Sequence, residues 1–172
     1  MAERLAAAGD GAKTSVPAEF LSVDWSDAAR KGDAERGRKL FSADALGCVK
    51  CHAILANQRG GGGPSLSGAA QRFTVAHLVE SILAPDKQVA SIFAATTIVT
   101  DDGRSVSGLV VEESEKELVL LLPTAVRRSI AKNTIEVRKP QPTSPMPGGL
   151  VKTTAELGDL LAYLLSPDPK AP

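Results

Sequence analysis

The chain has 172 residues, 43% of them hydrophobic and 23% charged, which is ordinary for a globular protein of one domain or of one domain carrying a smaller insertion. Twenty basic residues balance twenty acidic ones, so a net charge of zero gives no long-range pull toward nucleic acid or an anionic membrane. No apolar run approaches the roughly 18 residues of a membrane span, and aromatics supply only 3%, which leaves a core built mainly from Leu, Val, Ile and Ala.

Residues 1–32 read as an N-terminal extension or linker with a short helix. The first nineteen are rich in Ala, Gly, Ser and Pro, carry charges at Glu3 and Arg4, and have three alanines as their only apolar run, far short of a signal-peptide core. "DWSDAARKG" is the short helix, with Asp24 as N-cap and Gly32 closing it. Asp33 restarts a helix in "DAERGRKLFSADA", where Gly37 and Phe41, at i and i+4 with Ala34 beside them, make a narrow face that another helix can approach closely. "RGGGGPSLSG" is a loop. In "TVAHLVESILA" the residues Val75, Leu78, Val79, Ile82 and Leu83 form one apolar stripe, so this is a half-buried helix stopped by Pro85.

From Ile92 the pattern turns to alternating β-rich runs, "IFAATTIVT", "RSVSGLVVE", "ELVLLL", "VRRSI" and "TIEVRK", separated by "DDG", "ESEK" and "PTA". Five short strands predict a small, curled antiparallel barrel or sheet. "PQPTSPMPGG" has four prolines and two glycines and is a loop of restricted conformation. "TTAELGDLLAYLLSP" closes the chain as a helix, with Thr153 and Glu156 in capping-box relation and Leu157, Leu160, Leu161, Leu164 and Leu165 on one face. The fold class expected is α+β: a mainly helical domain at 33–91 and 140–172, with a β module inserted at 92–139.

Both cysteines and one of the two histidines stand in "GCVKCHAI". Cys48-Val49-Lys50-Cys51-His52 fits C-x-x-C-H, the attachment pattern of c-type haem. On a helical turn, residues three apart face the same way, so both thiols can add across the two vinyl groups of one porphyrin. The histidine that follows is then placed beneath the iron as a proximal ligand. Competing readings are a thioredoxin-like dithiol, which needs a βαβ setting; a structural zinc site, which needs two further ligands where only His77 remains; and chance. For the sixth position, Met146 is the one methionine besides Met1, held between Pro145 and Pro147. Its rivals are a plain core-filling role and His77, which projects opposite the apolar stripe and is expected to face solvent. Arg59 and Arg72 could pair with haem propionates or remain solvated.

The order of these features resembles a class I cytochrome c: a first helix with Gly37 and Phe41, then CVKCH, Gly63-Pro64-Ser65-Leu66, a Met loop, and a leucine-rich last helix with Tyr163. The resemblance implies that Gly37 and Phe41 meet the Leu160, Leu161 and Leu164 face beside Tyr163. It also implies that the Pro64 carbonyl accepts the Nδ1 proton of His52, and that Leu66 packs on the porphyrin. With the β-rich segment included, "GCVKCH", "ESILAPDKQVA", "TTIVTDDGRSVSGLVVEESEKELVL" and "SPMPGGL…ELGDLLAYLLS" are similar to the haem-binding domain named for planctomycete and verrucomicrobial bacteria, over about residues 33–166.

The expected cofactor is one haem c per chain, attached through Cys48 and Cys51 with His52 and Met146 on the iron. The expected activity is one-electron transfer by a non-enzymatic carrier, as a relay domain of a larger exported redox protein. A labile sixth ligand would instead suit a gas sensor or a peroxide-reactive haem protein. The expected partner is a redox protein or a fused dehydrogenase-like domain, with no nucleic acid and no membrane span. The charged turns of the β module offer it a docking surface. Export to the periplasm, together with the missing signal, implies a mature fragment or an excised domain.

Overall fold

The computed structural model describes residues 16–58, 60–167 and 169. Its contacts divide them into a helical unit, residues 16–88 and 148 onward, and a sheet unit, residues 89–147. The expected α+β class is observed, with helices plus a five-stranded antiparallel sheet.

In the helical unit, α1 (Ala18–Leu21) and α2 (Trp25–Lys31) precede α3 (Ala34–Ser42). Asp24 and Asp33 each cap the helix that follows, their carboxylates accepting from Ser26 and Asp27 N–H, and from Glu35 and Arg36 N–H. Next come one-turn α4 (Cys48–Cys51), α5 (Ala69–Arg72) and α6 (Val75–Leu83). The last helix, α7 (Thr154–Leu164), begins with the expected capping box of Thr153 and Glu156.

Two crossings on α7 organise this unit. A Cβ on Gly37 would stand 2.0 Å from the Asp159 carbonyl oxygen, and one on Gly32 would stand 2.3 Å from that of Gly158. Only glycine lets α3 and the end of α2 come so close. Phe41 packs on Tyr163 with ring centroids 5.6 Å apart. The small-residue crossing is therefore present, but Gly37 meets the backbone at Asp159, one position before the leucine face that the resemblance implied. Gly32 has an extended backbone rather than a left-handed cap, and its smallness serves the approach to α7.

The segment before α3 joins the same core. Phe20 is buried, stacks on Trp25 at 6.0 Å, and its carbonyl accepts from the indole N–H. With Phe41, Ile54, Leu78, Val151 and the buried leucines of α7 it forms one apolar cluster. Of the α6 stripe only Leu78 is fully buried, and the rest are half-buried as expected.

The sheet unit contains β1 (Thr96–Thr100), β2 (Ser105–Glu113), β3 (Glu117–Leu121), β4 (Arg127–Ala131) and β5 (Ile135–Pro140), in spatial order β4-β3-β2-β1-β5 and antiparallel throughout. The outermost strands are consecutive in sequence, joined only by the 3₁₀ turn Lys132–Thr134. Four residue steps reach at most about 14 Å, whereas five flat strands would set their outer members about 19 Å apart. The sheet must curl. Hydrogen bonds from Lys132 N–H to the Lys116 carbonyl (2.8 Å) and from Asp101 N–H to the Thr134 carbonyl (2.9 Å) hold the turn across the open end. Ile98, Leu118, Leu120 and Ile130 fill the interior.

Candidate functional site

The site is built on α4. Gly47 enters it in a left-handed conformation (φ 67°), and His52 N–H closes the turn on the Cys48 carbonyl at 2.9 Å. Both thiols are free and half-buried on this single turn. Burial pushes the Cys48 thiol up to about 11 and raises that of Cys51 as well. Dithiol oxidoreductases need the opposite, a thiol depressed toward neutrality. A structural zinc site also lacks support, because among the described residues no three His, Cys, Asp or Glu side chains converge in a way that could hold a metal ion.

His52 Nδ1 lies 2.8 Å from the Pro64 carbonyl oxygen. A carbonyl can only accept, so Nδ1 carries the proton and the Nε2 lone pair is left available for a metal. Burial holds the imidazole below its usual pKa, with the Pro64 bond working in the other direction. The ring is thus neutral at pH 7, the state in which it ligates. Leu66 N–H donates to the Ala53 carbonyl at 2.7 Å, and the Leu66 side chain packs, half-buried, against the helical core.

The glycine run after the motif lies tight against it. An added Cβ would stand 1.9 Å from the Lys50 oxygen at Gly61, 2.8 Å from the Cys51 oxygen at Gly60, and 3.0 Å from His52 Cε1 at Gly63. Gly63 N–H also donates to the Cys51 carbonyl at 3.1 Å. These glycines therefore cradle the C-x-x-C-H turn. Their position a short loop beyond the motif was the available signal, but tightness of packing is not written in a run of glycines.

Arg72 is exposed, and its Nη1 donates to the carbonyls of Ser65 (2.9 Å) and Ser67 (3.1 Å) while the guanidinium lies 4.8 Å from the Phe73 ring centre. It braces the loop that presents Pro64, a role for which its sequence position gave no sign. Arg59 lies outside the described residues. His77 is exposed and stacks on Phe73 at 5.3 Å, in keeping with the expected solvent-facing side of α6.

Cys48, Cys51, His52, Pro64 and Leu66 thus come together in the helical unit. Met146 belongs to the sheet unit, half-buried, with its N–H donating to Ser144 Oγ at 3.1 Å. Several charged residues of the sheet pair with one another. Glu112 meets Arg127, Glu113 meets both Lys132 (2.7 Å) and Arg138 (2.9 Å), and Asp102 meets Arg104.

Two vinyl-reactive thiols on one turn, a neutral histidine with one ring nitrogen engaged, and a backbone cradle are the donor set and shape that a covalently attached haem requires. Residues 34–103 match the family model for cytochrome c, from the first residue of α3 to the turn after β1. This stretch is therefore similar to cytochrome c, and most of the antiparallel sheet lies beyond it. A protein described as "Cytochrome c-553-like", from Synechocystis sp. (strain ATCC 27184 / PCC 6803 / Kazusa), is 44% identical over 55 residues, 32% of this chain. The match spans 48%, about half, of that relative's length. No described helix is long and apolar enough to cross a membrane.

Proposed function

We propose that this chain holds one haem c through thioether bonds from Cys48 and Cys51, with His52 and Met146 as axial ligands, and carries single electrons as a relay domain of a larger exported redox protein. The observation that carries the reading is the 2.8 Å bond between His52 Nδ1 and the Pro64 carbonyl, immediately behind the two free thiols. Each thiol S–H adds across one vinyl double bond, so attachment forms a C–S and a C–H bond and needs no oxidant. When bound, haem c would supply a reversible Fe(III)/Fe(II) couple, and the Met146 thioether joining the His52 imidazole as a ligand would raise its potential. Pro64 fixes the orientation of the His52 ring and strengthens its donor character. Arg72 and Ala53 hold the loop that carries Pro64. The glycine cradle keeps the turn closed on one side.

The match to cytochrome c over residues 34–103 supports the haem and ends before Met146, and the relative's name, "Cytochrome c-553-like", agrees with it. That residue is proposed because it is the sole thioether besides Met1 and stands between two prolines that restrict its backbone. The wider similarity of residues 33–166 to the planctomycete and verrucomicrobial haem-binding domain supports export and a fused or separate redox partner.

The test is an absorption spectrum of the protein expressed with haem-export and maturation machinery, oxidised and reduced, with and without CO. A c-type reduced spectrum indifferent to CO, with a far-red ferric band that Met146→Ala abolishes, is the expected result. Rapid CO binding by the unaltered protein would make the sixth position open and replace the carrier reading with that of a ligand-binding haem protein. No haem spectrum at all would overturn both.

A further inference from the structure

We propose that the five-stranded sheet is the mount of the sixth-ligand loop, with Thr97 and Gln141 as the positioning residues that hold Met146 in place. This rests on the reading of Met146 as an iron ligand.

β1 is paired on both sides, with β2 and with β5, so it is an interior strand of the sheet and neither of its edges is free. The β1–β5 ladder does not stop at its last pair, Thr96 with Pro140. Gln141 N–H donates to the Ala95 carbonyl (2.8 Å) and Ala95 N–H donates to the Thr143 carbonyl (2.9 Å), so the pairing runs on into the loop. Pro140 and Pro142 alternate with Gln141, and their missing N–H groups fall on the side away from β1, where an edge strand tolerates proline.

A side-chain tether reinforces the backbone one. Gln141 Nε2 donates to Thr97 Oγ1 at 3.2 Å, and that oxygen also shares a hydrogen bond of 2.7 Å with Ser107 Oγ, directly opposite on β2. Thr97 is 2% exposed. A buried hydroxyl that left its partners would lose hydrogen bonds with little water to replace them, so the Gln141 amide is held firmly.

From the anchored Thr143 carbonyl to Met146 there are three residues, a reach of at most about 11 Å. Within it Pro145 fixes φ, and Ser144 Oγ takes the Met146 N–H at 3.1 Å. Short, proline-stiffened and fastened at its root, the loop restricts where the thioether can go. A thioether on so short a tether has few positions to occupy, and as an iron ligand it would have a high effective concentration against an outside competitor. On this account the sheet does not need to be a docking module.

The experiment uses the full haem-loaded chain and compares wild type, Met146→Ala, Gln141→Leu, Thr97→Ser and the double variant Thr97→Val/Ser107→Ala. It reads the far-red ferric band, the rate at which CO binds the ferrous form, and the urea midpoint by far-ultraviolet circular dichroism. Gln141→Leu and the double variant are expected to bind CO about fivefold faster than wild type, the factor that one hydrogen bond of ordinary net strength supplies. Thr97→Ser, which keeps the oxygen, is expected to stay near wild type. The urea midpoint of Gln141→Leu is expected to move little, because the backbone ladder and the Thr97–Ser107 pair remain. If Gln141→Leu loses its sheet, the double variant, which removes donor and acceptor together, carries the comparison. Folded variants that bind CO at the wild-type rate, while Met146→Ala binds it fast, would overturn the mount and leave the ligand reading standing. A far-red band and CO rate unchanged in Met146→Ala would overturn the ligand reading, and the mount with it.

Discussion

Asp159 shows how much of the helical unit rests on one side chain. It is 7% exposed and accepts from Asp33 N–H (2.7 Å) and from Arg36 Nε (2.7 Å) and Nη2 (3.0 Å), tying the start of α3 to α7. The Arg36 hydrogen bonds, opposed by burial, hold its carboxyl below the usual carboxylate range. A group whose folded pKa is lowered stabilises the fold in full above its unfolded value of about 3.9, and loses that contribution as pH falls through the folded value. Asp159→Asn should therefore melt below wild type at neutral pH, and the two melting curves should converge as the pH drops below about 4. Thermal unfolding from about pH 7 to about pH 2 checks this, and parallel curves would show that the pair contributes nothing to the acid limb. No sequence signal pointed to this network, because its partners lie 123 and 126 positions away.

At the scale of elements, the glycine crossing carries an expectation opposite to the usual one. Alanine in place of glycine inside a helix ordinarily stabilises by about 1 kcal/mol. Gly37 lies inside α3, but its Cβ would stand 2.0 Å from a carbonyl oxygen of α7 and 2.9 Å from Tyr163 Cβ. Gly37→Ala must push the helices apart, and overpacking of this kind costs about 1–3 kcal/mol. The urea midpoint should fall, and a rise would mean that the crossing relaxes freely. The small face of α3 was legible because Gly37 and Phe41 share helical spacing. The five strands were legible because alternation and turn residues mark each one, and the C-x-x-C-H turn because its spacing is its chemistry. Other features depended on contacts between distant segments. Residues 18–21 make a single turn, too short for periodicity to show, so the burial of Phe20 against Trp25 was hidden in what read as a linker. Strand order was equally hidden, since β5 pairs with β1 and not with the strand before it. Arg72 could be marked as a cation near the site, but its grip on Ser65 and Ser67 depends on a loop path that sequence alone does not give.

The whole molecule has two cores of different character, and haem should matter far more to the helical one, because the sheet unit would meet it only through the Met146 loop. The sheet unit closes on its own residues, with Ile98, Leu118 and Leu120 fully buried and Ile130 nearly so. In the helical unit Cys48 packs against the same cluster as Leu46, Leu55, Leu66, Phe73, Val79, Ile82 and Leu83, all of them half-buried, so the attachment turn is itself part of the core. A haem held there adds a large apolar surface to that cluster and ties it covalently, and a group that binds only the folded state stabilises what it touches. The double variant Cys48→Ser/Cys51→Ser prevents attachment while changing little else in size. Amide hydrogen exchange, compared with the haem-loaded chain, is expected to show protection lost by at least about tenfold across α3, α6 and α7 and largely retained in β1, β2 and β3. Equal loss in both units would mean that they unfold as a single cooperative body. Unchanged protection in the helices would mean that the apolar cluster holds them without the prosthetic group.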